Sequence, residues 1–303
     1  MIPEELVFEK DGIEYMKLCC DITVYWVGSV FEHVEGVLRF HEKAMELMGP
    51  DVRFYETGEM AGALPREADT LYLIPQWLQR CDRGRETYML TLETHTLPNM
   101  PSDKAFDFWA IEYPEIPVGA MRLVLPVSYV EDAPESLASL TRMLSEKLDF
   151  HSGHAGYAVN WDYKGEYASM SRGRMSRFAR RFQGVDLPDI ACTLCAIPSG
   201  FKCVNWLTLL GKELLAGTGG PDELRSRLPA GILCGELGKG VLIQAGVKPG
   251  LGDVNRRDFL PAYHAVGRAL EELRSREHPP FLKNSRGVVD EDVTEEWLGR
   301  FDS

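Results

Sequence analysis

Along this chain the apolar positions alternate between a period of two and a period near three and a half. The run Ile22-Thr23-Val24-Tyr25-Trp26-Val27 is β-branched and aromatic throughout, which predicts a strand. After Gly28-Ser29, the residues Phe31, Val34, Leu38, Met45 and Met48 recur at helical spacing. They predict a helix with those five on its buried stripe, closed by Gly49-Pro50. Residues 52–55 read as a return strand, and the alternation of Tyr88, Leu90 and Leu92 predicts another over 87–92. Residues 106–113 and 121–130 read as a strand pair joined through the turn at 114–119. Pro134 stands where a helix can start, with Leu137, Leu140, Leu144 and Leu148 inward. His151-Ser152-Gly153 ends that helix in a turn, and 155–161 returns as a strand.

Further on, 167–182 predicts a helix with Met175, Phe178 and Phe182 at helical spacing. Residues 203–209 are apolar and read as a strand with Trp206 in its middle. Gly219-Gly220-Pro221 opens a short helix, and Gly238-Lys239-Gly240 turns a hairpin between 232–236 and 241–245. A final clear helix covers 258–273, with Phe259, Tyr263, Val266 and Leu270 inward. Helices that alternate with clusters of strands, several of them paired through short turns, predict an α+β fold with largely antiparallel sheets and packed helices. The strand–helix–strand pattern recurs near 22–55 and 121–161, which suggests two related layers. No linker divides residues 1–278, expected to be a single domain. After Pro279-Pro280, residues 279–303 read as an acidic C-terminal extension.

Charge narrows the function classes. The 303 residues carry a formal net charge of -13, which excludes the basic footprint a nucleic-acid binder needs. An acidic surface favours fast association with a basic partner instead. The N-terminus lacks a basic n-region and an apolar stretch, and no window is apolar enough for a membrane span. Seven cysteines, including the neighbours Cys19-Cys20, fit reduced thiols better than a disulfide framework. The expected compartment is the cytoplasm.

Few residues offer chemistry. Cys192-Thr193-Leu194-Cys195 has the CxxC spacing of zinc sites and redox motifs, but no second pair completes four ligands. Its position before the loop Pro198-Ser199-Gly200 favours buried thiols. His41 falls on the first helix's apolar stripe, as a structural histidine would, and His151 and His154 flank a turn glycine. Neither HExxH nor Gly-x-Ser-x-Gly occurs. The glycine-rich stretches 217–220 and 246–253 match no phosphate-binding loop, so turn geometry is the simpler reading, with Asp253 or Asn255 capping a helix. Arg172, Arg174, Arg177, Arg180 and Arg181 form a basic run that either meets phosphate or an acidic partner surface, or lies on a solvated face paired with carboxylates. Asp290, Glu291, Asp292, Glu295 and Glu296 read as a mimic of a nucleic-acid backbone or as a frayed tail. No catalytic, cofactor-binding or metal-ligating residue is assigned, and the partner-binding residues are unknown.

The segment Gly200-Phe201-Lys202-Cys203-Val204-Asn205-Trp206-Leu207-Thr208-Leu209-Leu210-Gly211 resembles the signature of the bacterial type VI secretion immunity family associated with VRR-Nuc toxins. The likeness continues through Gly219-Gly220, Leu224 and Leu228, then Ile243-Gln244-Ala245-Gly246, Pro249, Gly252-Asp253, Asn255 and Tyr263. It spans roughly residues 15–275, specific in the C-terminal half and diffuse before it; the acidic extension is a departure. The resemblance implies a cytoplasmic antitoxin that binds and blocks a cognate effector, commonly a nuclease, without a cofactor. It carries over no interface residue and leaves a homo-oligomer open. The competing reading is an enzyme or small-molecule binder that uses the glycine loops and Cys192/Cys195.

Overall fold

The computed structural model describes residues 6–80, 85–161 and 168–302. Among the described residues are eleven strands: β1 Phe8–Lys10, β2 Ile13–Val27, β3 Phe54–Thr57, β4 Leu64–Pro65, β5 Thr87–Glu93 and β6 Ala105–Ile111. β7 Val118–Leu125, β8 Ser152–Trp161, β9 Leu207–Leu210, β10 Leu233–Leu237 and β11 Gly240–Gln244 complete them. They form one sheet in the order β10-β11-β9-β8-β2-β7-β6-β5-β3-β4, with β1 also on β2. Every pairing of named strands is antiparallel. The α-helices are α1 Val34–Met48, α2 Leu73–Gln79, α3 Ser128–Glu131, α4 Pro134–Ser145 and α5 Ala168–Arg181. After them come α6 Ile190–Ala196, α7 Lys212–Gly217, α8 Pro221–Arg227, α9 Pro261–Leu270 and α10 Glu291–Leu298. The expected α+β class with antiparallel pairing is what folds. No helix among the described residues is long and apolar enough to cross a membrane.

β2 is the spine. It pairs with β8 over Met16–Tyr25 and with β7 over Cys20–Val27, so both its edges and, from Leu18 to Trp26, both its faces are buried. The strand expected over 22–27 therefore begins nine residues earlier. Glu14, Lys17 and Asp21 interrupt the apolar pattern, yet Asp21 is itself wholly buried. The two strand–helix–strand units make different crossovers. β7, β6 and β5 lie between β2 and β3, whereas β2 alone lies between β7 and β8.

Side-chain alternation splits the sheet into two faces. One carries Cys20, Ile22, Val24 and Trp26 of β2 with Phe106, Phe108, Met121 and Leu123, in one core with Val37, Phe40 and Ala44 of α1 and Leu137 and Leu144 of α4. The buried residues of α1 are Gly36, Val37, Phe40, His41, Ala44 and Met48, while Val34, Leu38 and Met45, and Phe31 just before the helix, are half-buried. The expected stripe is thus rotated by about one residue, because α2 and α4 flank the helix and half-cover the apolar row beside the true inner face. Gly36 permits this packing: a Cβ there would sit 2.5 Å from the Leu148 backbone.

Three further expectations need correction. Phe259 is 64% exposed, since α9 starts only at Pro261; Tyr263, Val266 and Leu270 do face inward. Trp206 is buried but precedes β9 instead of lying within it. Residues 290–298 are not frayed: Asp290 caps α10 by accepting from the Val293 N–H, and Trp297, Leu298 and Phe301 join the main core. The acidic composition hides this because the anchors Trp297 and Leu298, at the end of α10, and Phe301, three residues beyond it, are few among the carboxylates.

Candidate functional site

On the opposite face the registers align a row of polar side chains across seven strands. Glu56, Thr91, Asp107, Arg122, Thr23, His154 and Thr208 stand opposite one another in β3, β5, β6, β7, β2, β8 and β9. All seven are buried. Period-two reading assigns such residues to a solvated face; here the chain from Phe182 to Trp206 folds back over the centre of the row. Val159 N–H donates to the Asp186 carbonyl, and Asp186 N–H donates to the Tyr157 carbonyl, which stitches that segment to β8.

Charges in the row are compensated locally, as burial demands. Arg122 Nε donates to Asp21 Oδ2 at 2.7 Å, and Arg122 Nη1 lies 3.8 Å from Asp107 Oδ2. The Thr91 hydroxyl donates to Asp107 at 2.9 Å. Lys202 Nζ donates to both Asp186 oxygens at 2.8 Å and to the Leu187 carbonyl at 3.0 Å, and His154 Nε2 stands 3.2 Å from Asp186. Burial alone would raise the Asp186 carboxyl, but Lys202 and His154 override it and hold it well below its ordinary value. Asp21, His154 and Asp186 place potential metal ligands within 4.8 Å of one another. Lys202 and Arg122, however, supply the positive charge that such a cluster requires. Nor is a nucleophile poised there: burial pushes the neighbouring Cys203 thiol up, away from the reactive thiolate. The cluster is a buried ion network. Lys202 belongs to the signature segment, but its partner Asp186 lies outside it, and the pairing exists only in three dimensions.

The residues singled out in the sequence do not converge on one place. Cys192 and Cys195 lie on the short helix α6, directly before the turn 197–199, and the expected burial of both thiols is not met: Cys192 is half-buried and Cys195 exposed, because Cys195 lies on the outer side of that helix. Burial and Asp189 push the Cys192 thiol up to about 12, and neither cysteine joins a metal-ligand cluster among the described residues. His154 is mid-strand in β8, not in a turn, and His151 precedes that strand with its N–H on the Tyr25 carbonyl. His41 is buried against Phe106 with its Nε2 unpaired, and burial lowers its pKa to about 4. Along α5, Arg181 holds Asp253 through two 3.0 Å hydrogen bonds, Arg172 approaches Asp189 at 3.5 Å, and Arg174 stacks over Phe8. Asp253 also caps the turn 254–256 by accepting from the Asn255 N–H. Gly220 (φ 100°) and Gly252 (φ 65°) take left-handed conformations, so both glycine stretches act as turns. Glu295 is engaged by Arg274 and Arg276, and Asp302 by Arg274. Cys81 lies outside the described residues.

What remains is surface. A cleft of about 1070 Å³ opens between α1, α4 and the 66–75 segment, with Tyr72 62% and Met143 41% exposed on its walls. Of its carboxylates Glu35, Glu42, Glu46 and Glu146, Glu42 and Glu46 pair with Arg39 and Lys43 one turn away.

Residues 108–301 match the TsiV family, described as type VI immunity for VRR-NUC. The chain belongs to the TsiV family. It is an immunity protein of the type VI secretion system directed at VRR-Nuc effectors. The TsiV match runs from β6 through α10, so the acidic segment after Pro280 lies within the family's region and is no departure from it. No curated protein matches this sequence. Among solved structures, "Pseudomonas aeruginosa T6SS protein PA0821" is similar at 21% identity with a TM-score of 0.83, covering 98% of this chain and 88% of that one. That likeness extends the shared fold to the N-terminal half.

Proposed function

We propose that this TsiV protein neutralises its VRR-Nuc effector by forming a one-to-one complex and performs no reaction of its own. Membership in the immunity family carries the reading. The net charge of -13 supports it, because a nuclease that handles polyanionic substrate presents a basic surface. The working compartment is the cytoplasm, where a nuclease meets its substrate. Residues 279–303 act with the rest of the chain, since Trp297, Leu298 and Phe301 anchor them in the core.

Co-expression tests this. The neighbouring VRR-Nuc effector should kill when expressed alone and be tolerated when this protein is present, and a pull-down should recover both chains. Protection without any physical complex would contradict it and favour an enzyme that removes the toxin's product or modifies its target.

A further inference from the structure

The connections at one end of the sheet differ from the rest of the surface. β2 ends, β7 begins, β6 ends, β5 begins and β3 ends there, as the registers Val27↔Val118, Ile111↔Val118, Thr87↔Ile111 and Thr57↔Leu90 show. Gly28 N–H donates to the Pro117 carbonyl and Glu112 N–H to the Glu86 carbonyl, each at 2.8 Å, so the loops form one continuous rim. The Glu112 carboxylate accepts from the Ser29 hydroxyl and the Val30 N–H, which fixes the β6–β7 hairpin against the start of the first helical region.

Three exposed apolar side chains stand on this rim: Val27 at 37%, Tyr113 at 47% and Ile116 at 53%. Around them, the described connections 28–33, 58–63 and 112–117, with Arg85 and Glu86 leading into β5, carry Glu32, Glu59, Glu86, Glu112 and Glu115 against the single cation Arg85. Arg85 is committed to Glu59 at 3.3 Å. Glu32, Glu86 and Glu115 are exposed and form no ion pair among the described residues.

We propose that this sheet end is the surface that meets the effector, with Tyr113 and Ile116 as apolar anchors inside a ring of carboxylates that engages a basic patch of the VRR-Nuc domain. The proposal rests on the binding function given above. An aromatic anchor within a polar rim is the arrangement that concentrates binding energy. Unpaired carboxylates around it steer a cationic partner and lose that effect as salt rises. The hairpin is braced by β5 and β2 on either side and by Glu112, so little ordering is required on binding.

Binding kinetics with a catalytically disabled VRR-Nuc domain test it. Glu86→Lys with Glu115→Lys should slow association about tenfold at low salt, and Tyr113→Ala should speed dissociation about tenfold. Tyr72→Ala with Met143→Ala, in the α1–α4 cleft, should leave both rates within about twofold of the parent. All the substituted residues are exposed, and unchanged unfolding temperatures would confirm intact folds. If the charge-reversed protein did not fold, Glu115→Gln would serve in its place, with a smaller loss of association rate. Parent-like binding by the sheet-end variants, or loss of binding from the cleft variant alone, would overturn the surface while leaving the binding function intact. No complex with the parent protein would overturn both.

Discussion

Asp186→Asn should lower the unfolding free energy by about 3–5 kcal/mol, as breaking one side of a buried ion pair does. The substitution keeps the side-chain volume and removes the charge. Lys202, 2% exposed at its side chain, is then left with an ammonium inside the protein and no carboxylate to answer it. His154 loses its neighbour at the same time. Lys202→Met alone leaves the Asp186 carboxylate with weaker support, and the double variant Asp186→Asn/Lys202→Met should recover part of the loss, because it removes both charges together. The pair also sets an acid dependence. A carboxyl held below its ordinary value contributes stability that is fully present above the unfolded-state pKa, near 3.8, and is lost as pH falls through the folded value. Denaturant titration at neutral pH decides the matter: a change below about 0.5 kcal/mol, typical of surface sites, would mean that the network is not what closes this face of the sheet.

A second large loss is expected at Trp206. Its side chain is wholly buried, and its indole N–H donates to the Gly246 carbonyl at 3.0 Å. Its own carbonyl receives the Ala245 N–H, so the residue locks the start of β9 to the turn after β11. Trp206→Ala should cost about 3–5 kcal/mol, chiefly through the cavity, since the Gly246 carbonyl keeps the Gln244 amide as a second donor at 3.1 Å. Effector binding, measured below the lowered melting temperature, should remain within a few-fold of the parent. Unchanged thermal stability together with abolished binding would instead assign Trp206 to the interface.

These two sites show what the sequence can and cannot disclose. Trp206 stands in a recognisable segment, and its apolar surroundings announce burial even though the strand begins one residue later. The Asp186–Lys202 pair gives no such signal. Both residue types normally mark surface, and their pairing depends on a sixteen-residue excursion that folds back on β8. The same holds for the polar row. Asp107 lies between Phe106 and Phe108, a pattern that predicts one dry and one wet face, whereas this sheet buries both at its centre. The positions of α1, α4, α5, α8 and α9 were legible from periodicity and from Pro134 and Pro221, because capping and spacing are local, whereas the short helices α2, α6, α7 and α10 were not. Which stripe of α1 turned inward was not, since that depends on where α2 and α4 lie. The family resemblance was legible from the 200–211 segment, but it concerns scaffold residues. The proposed binding rim is built from loops of unremarkable composition that the sheet's order brings together.

The central claim, inhibition by stoichiometric binding, is tested most directly by titrating the purified protein into a fixed amount of active VRR-Nuc domain, at concentrations well above the dissociation constant, while following DNA cleavage. Cleavage should fall linearly and reach zero at one equivalent, with a single co-eluting complex at that point. Full cleavage in the presence of excess protein, or complete loss at a small fraction of an equivalent, would contradict it; the latter is the signature of turnover.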